Sequence, residues 1–274
     1  MSEATIVAAV QMTSGAELAG NLEAAAALLG QARARGAQMA ALPENFALMG
    51  RRETDKLALA EADGDGPIQA FLAGRARALG LWIVGGTVPL RVAEPDRVAA
   101  ACLVYDDRGE RVARYDKMHL FDVGIPGRDE RYAESGTVSP GDAVVAVDTP
   151  FGRLGLAVCY DLRFPELFRR LQFEGAEWFC IPAAFTAPTG RAHWETLLRA
   201  RAIENLVTVV APAQSGFHDN GRETHGHTMI VDCWGRVLAR LPRGTGVVTA
   251  PLDLVRQREL RHNFPALAHR RLPP

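Results

Sequence analysis

The sequence predicts a mixed α/β fold, with helices packed outside β-sheets that carry both parallel and antiparallel strands. Three observations predict it. Single apolar strands alternate with helix-patterned segments along most of the 274 residues. Hairpins are interleaved among them, which a purely parallel doubly wound sheet would lack. No linker or low-complexity segment divides the chain, so residues 1–274 read as one domain, and an apolar content of 48% is ample for its core.

Residues 5–12 (TIVAAVQM) read as the first strand. Asn21 stands where it could cap the next helix, in which Leu22, Ala25, Ala26 and Leu29 recur at helical spacing, and Gly36 ends it. AQMAALPENF gives a second strand that stops at Pro43. Residues 67–79 read as a helix with Pro67 near its first turn, and 81–90 as a strand. AAACLVYDDRGERVARYD is a hairpin turning at Asp107–Gly109, and a second hairpin runs from AVVAVDT through Pro150–Gly152. AEWFCIPAAF is a strand, RAHWETLLRARAIENL a helix and VTVVAPAQ a strand. A third hairpin turns at Trp234–Gly235, and a strand (GVVTAPLDL) and a helix (LVRQRELRHN) close the chain.

A formal net charge of -1 points to neither a nucleic-acid nor a membrane partner. The start, MSEATIVAAV, has no basic segment or cleavage site and reads as a strand rather than a signal peptide. No apolar stretch reaches spanning length, so a soluble protein is expected. Cys102, Cys159, Cys180 and Cys233 form no CxxC pair and no zinc-type spacing. Reduced thiols in a cytoplasm are the simplest account.

The stretch RLGLAVCYDLRFPEL organises the chemistry. Its apolar run ends at Cys159, and a helix begins near Pro165, so the thiol lies at a strand-to-helix turn. There the helix N-terminus favours a thiolate, and a free N–H such as that of Tyr160 can hold an oxyanion. A lone Cys at a strand end is ordinarily core. Glu44 and Lys117 are ordinarily solvated loop residues, yet each also follows an apolar strand, and strands of one sheet can bring such ends together. A Cys, a Glu and a Lys make chemical sense as nucleophile, general base and oxyanion partner, with no metal or organic cofactor required. A Cys–His pair is the rival arrangement: His119, His225 and His227 lie in polar loops, and His119 is two residues from Lys117.

ALPENF, YDKMHLFD and GLAVCYDLRFPEL, in this order, resemble the three signature blocks of the nitrilase, or carbon–nitrogen hydrolase, superfamily. Glu44, Lys117 and Cys159 fall on that family's catalytic positions. The resemblance implies an α-β-β-α sandwich of two mixed sheets flanked by helices, a small-molecule amide substrate, a thioester intermediate and a homodimer or larger homo-oligomer. AFTAPTGRAHWETLLRARAIEN, AQSGFHDNGRETHGHTMIVDCWG and RQRELRHNFPALAHRR resemble the Nit branch, most of all its deaminated glutathione amidases. The ω-amidases, which act on 2-oxoglutaramate, are the neighbouring alternative, and a non-catalytic small-acid binder or scaffold is the alternative of another class. The resemblance further implies a supporting role for Glu134, a substrate carboxylate on Arg163, and Phe185 and Thr189 in the pocket wall. Asn45 would stand behind the base. Cys233 departs from the family's usual Pro in a turn, away from the chemistry.

Overall fold

The structure, a computed structural model, describes residues 5–125, 127 and 129–272. Among these residues two large mixed sheets form. The nine-stranded sheet runs Glu223–His225, Ala213–Phe217, Thr5–Met12, Met39–Leu42, Trp82–Gly85, Val98–Tyr105, Val88–Arg91. In it Gly246–Leu252 also pairs with Thr5–Met12, and Arg111–Asp116 with Val98–Tyr105. The six-stranded sheet runs Val237–Leu241, Thr228–Val231, Thr208–Ala211, Trp178–Cys180, Gly152–Leu156, Ala146–Thr149.

Side-chain alternation sets the layers. Val7, Ala9, Met39, Ala41 and Val84 share one buried cluster with Leu154, Leu156, Trp178 and Val209 of the second sheet. Their neighbours Ala8, Val10, Ala40, Leu42 and Ile83 belong to another, shared with Leu29 and Leu72 of the helices Leu18–Ala34 and Pro67–Leu79. Leu167 and Phe168 of helix Pro165–Phe173, and Trp194 and Leu198 of helix Ala187–Asn205, complete the first cluster from the far side of the second sheet. The order is helix, sheet, sheet, helix, as the family resemblance implies. No helix among the described residues is long and apolar enough to cross a membrane.

Strand direction positions the site. Met39–Leu42 is parallel to Trp82–Gly85, which is antiparallel to Val98–Tyr105, which is antiparallel to Arg111–Asp116. The strands before Glu44 and Lys117 therefore run the same way and end at the same edge. The second sheet reaches that edge where the chain passes Cys180: Ala183 bridges in parallel to Ala213 of the first sheet.

Three readings of the sequence are corrected. The 81–90 stretch is two strands, broken at Gly86, whose φ is 56°. A Cβ there would stand 2.1 Å from the Pro43 carbonyl oxygen, so the break lets the loop carrying Glu44 lie against it. VTVVAPAQ is also two strands, in different sheets, because the chain crosses at Pro212, which has no N–H to donate. Asn21 lies inside its helix, after an N-cap at Glu17. Its amide instead bonds both polar atoms of the Gly15 backbone and the Ala47 carbonyl, which ties the helix to the loop after Glu44.

Candidate active site

Cys159 follows the strand Gly152–Leu156 and opens a 3-10 turn, Cys159–Arg163, before the helix at Pro165. Its φ is 50°, a left-handed conformation uncommon outside glycine and associated with functional turns. Asp161 holds the turn. Fully buried, it accepts hydrogen bonds from the Val158 N–H (2.8 Å), the Tyr115 hydroxyl (2.7 Å) and the His119 N–H (3.0 Å), and its Oδ1 lies 2.7 Å from His119 Nδ1. Asp161→Ala would strand buried donors. We expect it to cost about 2–4 kcal/mol, read as a melting temperature roughly 5–10 °C lower.

Lys117 is 2% exposed, and its Nζ donates to Glu44 Oε1 (2.8 Å) and to both carboxylate oxygens of Glu134 (2.9 and 2.8 Å). Glu134 also accepts the Phe121 N–H at 2.7 Å. Burial alone would lower the Lys117 ammonium, but the Glu134 and Glu44 carboxylates and the nearby Cys159 sulfur outweigh it and hold it well above its ordinary value. For Glu134 burial pulls upward, yet Lys117 and the Phe121 N–H hold the carboxyl below its usual range. An ion pair this buried keeps its charges only because each is multiply partnered.

Burial pushes the Cys159 thiol well up, and the Glu44 carboxylate adds to the rise against the pull of Lys117 and of the Ala184 N–H, whose nitrogen is 3.5 Å from Sγ. This direction is opposite to the thiolate that a helix N-terminus predicts. The α-helix starts only at Pro165, and a helix dipole fades within its first turn.

A cavity of about 820 Å³ is lined by Glu44, Asn45, Lys117, Glu134, Cys159, Tyr160, Arg163, Phe185 and Thr189. The structure thus brings every site residue expected from the sequence to one cavity. The Tyr160 N–H makes no hydrogen bond among the described residues. Arg163 lies over the rings of Phe185 (5.2 Å) and Tyr160 (5.6 Å), and its Nη1 is 3.1 Å from His193 Nδ1, with no carboxylate at ion-pair distance among the described residues. Thr189 stands in the first turn of helix Ala187–Asn205, its hydroxyl 2.8 Å from that of Thr186. Asn45, with φ 57°, donates its N–H to Thr87 Oγ1 at 2.8 Å.

The histidines lie elsewhere. The His119 ring is engaged by Asp161 and stacks on Phe164 at 3.7 Å, and His225 stacks on His227 at 4.2 Å. None of the three lines the cavity. Sequence reasoning missed Asp161 and Arg222. An acid two residues after the proposed nucleophile, at the strand-to-helix turn, was a usable signal for Asp161. Arg222, in a polar Asn-Gly-Arg turn, carried none.

Among the described residues no group of His, Cys, Asp and Glu side chains is arranged to hold a metal ion. The buried lysine, two carboxylates and thiol are placed to exchange a proton and stabilise an oxyanion.

Residues 6–262 match the carbon-nitrogen hydrolase family. The deaminated glutathione amidase of Yersinia enterocolitica is 43% identical over 97% of this chain and 92% of its own length. That of Homo sapiens is 41% identical over 98% of this chain and 83% of its own. The crystal structure of the C. elegans NitFhit protein superposes with a TM-score of 0.91 at 39% identity, over 99% of this chain and 66% of that one. The chain belongs to the carbon-nitrogen hydrolase family, and it is a hydrolase of non-peptide C–N bonds.

Proposed function

We propose that this hydrolase cleaves the amide of deaminated glutathione, giving 2-oxoglutarate and cysteinylglycine, through a thioester on Cys159. The observation that carries the reading is the buried Lys117, bridging Glu44 and Glu134 in the cavity that holds the Cys159 thiol. The relatives named for that amidase activity supply the substrate.

In this reading Glu44 takes the thiol proton as sulfur attacks the amide carbon. Lys117 and the Tyr160 N–H receive the oxyanion, and Glu134 keeps Lys117 charged and aimed. Glu44 passes the proton to the departing amine as the C–N bond breaks. Water, deprotonated by Glu44, then splits the thioester, releasing the acid and restoring the thiol. Arg163 takes the carboxylate of the α-keto acid end, with Phe185 and Thr189 shaping the wall.

The 2-oxoglutaramate of the ω-amidases is the competing substrate, so the two amides are assayed side by side through release of 2-oxoglutarate. A higher kcat/KM for deaminated glutathione is expected, and a preference for 2-oxoglutaramate would overturn the assignment. Arg163→Leu should remove a fork-to-carboxylate contact of about 1.5–3 kcal/mol. At about 1.4 kcal/mol per decade, kcat/KM falls roughly ten- to a hundredfold, and far less for an uncharged amide of similar length. Equal losses in a variant of unchanged melting temperature would make Arg163 structural.

The reading extends to a cytoplasmic homo-oligomer. Four buried free thiols suit a reducing compartment. The exposed Trp234 and Phe264, in edge contact at 5.5 Å, with Ile203 beside Gly235, favour association of copies. Sedimentation of the purified protein as a monomer would remove that extension.

A further inference from the structure

Besides the fully buried Lys117, the cavity is lined by the half-buried cations Lys56, Arg163 and Arg222, the last at the tip of the hairpin joining Ala213–Phe217 to Glu223–His225. The surroundings of Arg222 are unusual for a guanidinium. Nη2 donates to the Ala184 carbonyl, and Cζ lies 5.1 Å from the centre of the Tyr132 ring. Nε is buried with no hydrogen-bond partner. Glu223 and Glu130 line the same cavity, yet no carboxylate among the described residues lies at ion-pair distance from Arg222. Other cavity-lining cations are spent or outside: Lys117 is bridged by two carboxylates, Arg52 pairs with Asp55 and Lys56 with Glu53, while Arg51 and Arg131 are exposed. Among the described residues lining the cavity, only Arg163 and Arg222 are partly shielded from water and lack a carboxylate.

A guanidinium half-removed from water, with one N–H unsatisfied, is a receptor for an anion. Tyr132 and Ala184 hold it in place, which lowers the ordering cost of binding. Its position along the cavity is informative. Phe217, which starts the same hairpin tip, lines the cavity and is 73% exposed, so this hairpin forms part of the mouth. A group bound by Arg222 therefore belongs to the part of the substrate nearest solvent, the side by which an amine product leaves.

We propose that Arg222 is a specificity-determining residue that binds a second carboxylate, carried on the leaving-group side of the scissile amide. The inference rests on the deaminated glutathione reading and deepens it. That substrate has carboxylates at both ends, one for Arg163 and one for Arg222. A small ω-amide such as 2-oxoglutaramate has only the first.

The test compares deaminated glutathione with its C-terminal amide, which has the same scissile bond and lacks only the distal negative charge. Release of 2-oxoglutarate reports both. In the unaltered enzyme the acid should exceed the amide in kcat/KM by roughly ten- to a hundredfold, chiefly through KM. In Arg222→Gln, which keeps an N–H donor for Ala184, and in Arg222→Leu, the ratio should collapse to near one. Arg222 that merely props Ala184 would lower both substrates together and leave the ratio standing, and that result overturns the proposal. So does an acid-to-amide ratio near one in the unaltered enzyme that still prefers deaminated glutathione to 2-oxoglutaramate. An unaltered enzyme that prefers 2-oxoglutaramate sinks the substrate reading and this inference with it, and the unaltered enzyme alone reveals that case.

Discussion

Cys159→Ala leaves a folded protein that no longer hydrolyses its amide, with kcat down by at least about ten-thousandfold, because no other group can form the acyl intermediate. The fold should stand for a specific reason. The strain of a φ of 50° comes from a Cβ in a left-handed backbone, and alanine keeps that Cβ. What disappears is the sulfur and its contact with the Ala184 N–H. Alanine at Cys102, Cys180 or Cys233 should leave the chemical step in place, since none of these lines the cavity. Rapid-quench mass spectrometry gives the second readout: the unaltered protein should carry an acyl adduct on Cys159 during turnover and the variant none. Near-normal turnover by Cys159→Ala would remove the thioester mechanism. A protein that binds the amide without acylating would instead be a binding module.

Glu44→Gln is expected to lower kcat by on the order of a hundredfold or more. The thiol it serves is pushed up by burial and by Glu44 itself, so attack requires a partner that takes the proton as the bond forms. Glutamine fills the space and cannot do so. The variant should fold, because Lys117 keeps its two contacts with Glu134 when Glu44 loses its charge. His119→Asn should cost turnover less, since that ring is turned to Asp161 and Phe164. Steady-state kinetics of the two variants decide the matter, and the reverse order would point to a Cys–His enzyme.

That Glu44, Lys117 and Cys159 each follow an apolar strand made their convergence conceivable, whereas the two-sheet sandwich and the triad itself were legible through the resemblance of their three sequence blocks to the nitrilase superfamily. Strand direction then does the rest, carrying Glu44 and Lys117 to one edge of a sheet. Arg163 stands four residues after Cys159, and its role was legible through the family resemblance. Other features depend on contacts between distant segments. Gly86 breaks its strand because the Pro43 carbonyl, more than forty positions earlier, occupies the space of a side chain. The raised Cys159 thiol owes its direction to burial first and then to a carboxylate 115 positions away, against which the local helix end has little weight. Arg222 gains its place from Ala184 and Tyr132, neither of them near it in sequence. Three short strands, Asp122–Gly124, Arg131–Ala133 and Glu223–His225, were too brief to leave a periodic pattern.

The burial and charge that raise the Cys159 thiol bear on how the protein should meet oxidants. Peroxide attacks sulfur chiefly in its ionised form, and the usual weakness of a cysteine nucleophile is that the group made reactive for substrate is equally reactive toward peroxide while idle. In the proposed mechanism Glu44 removes the proton only as the new bond forms, and Cys159 is 7% exposed. The same burial and charge that make a proton acceptor necessary for catalysis should therefore slow the reaction of the resting Cys159 with peroxide, which the rate of its oxidation in the absence of amide would measure.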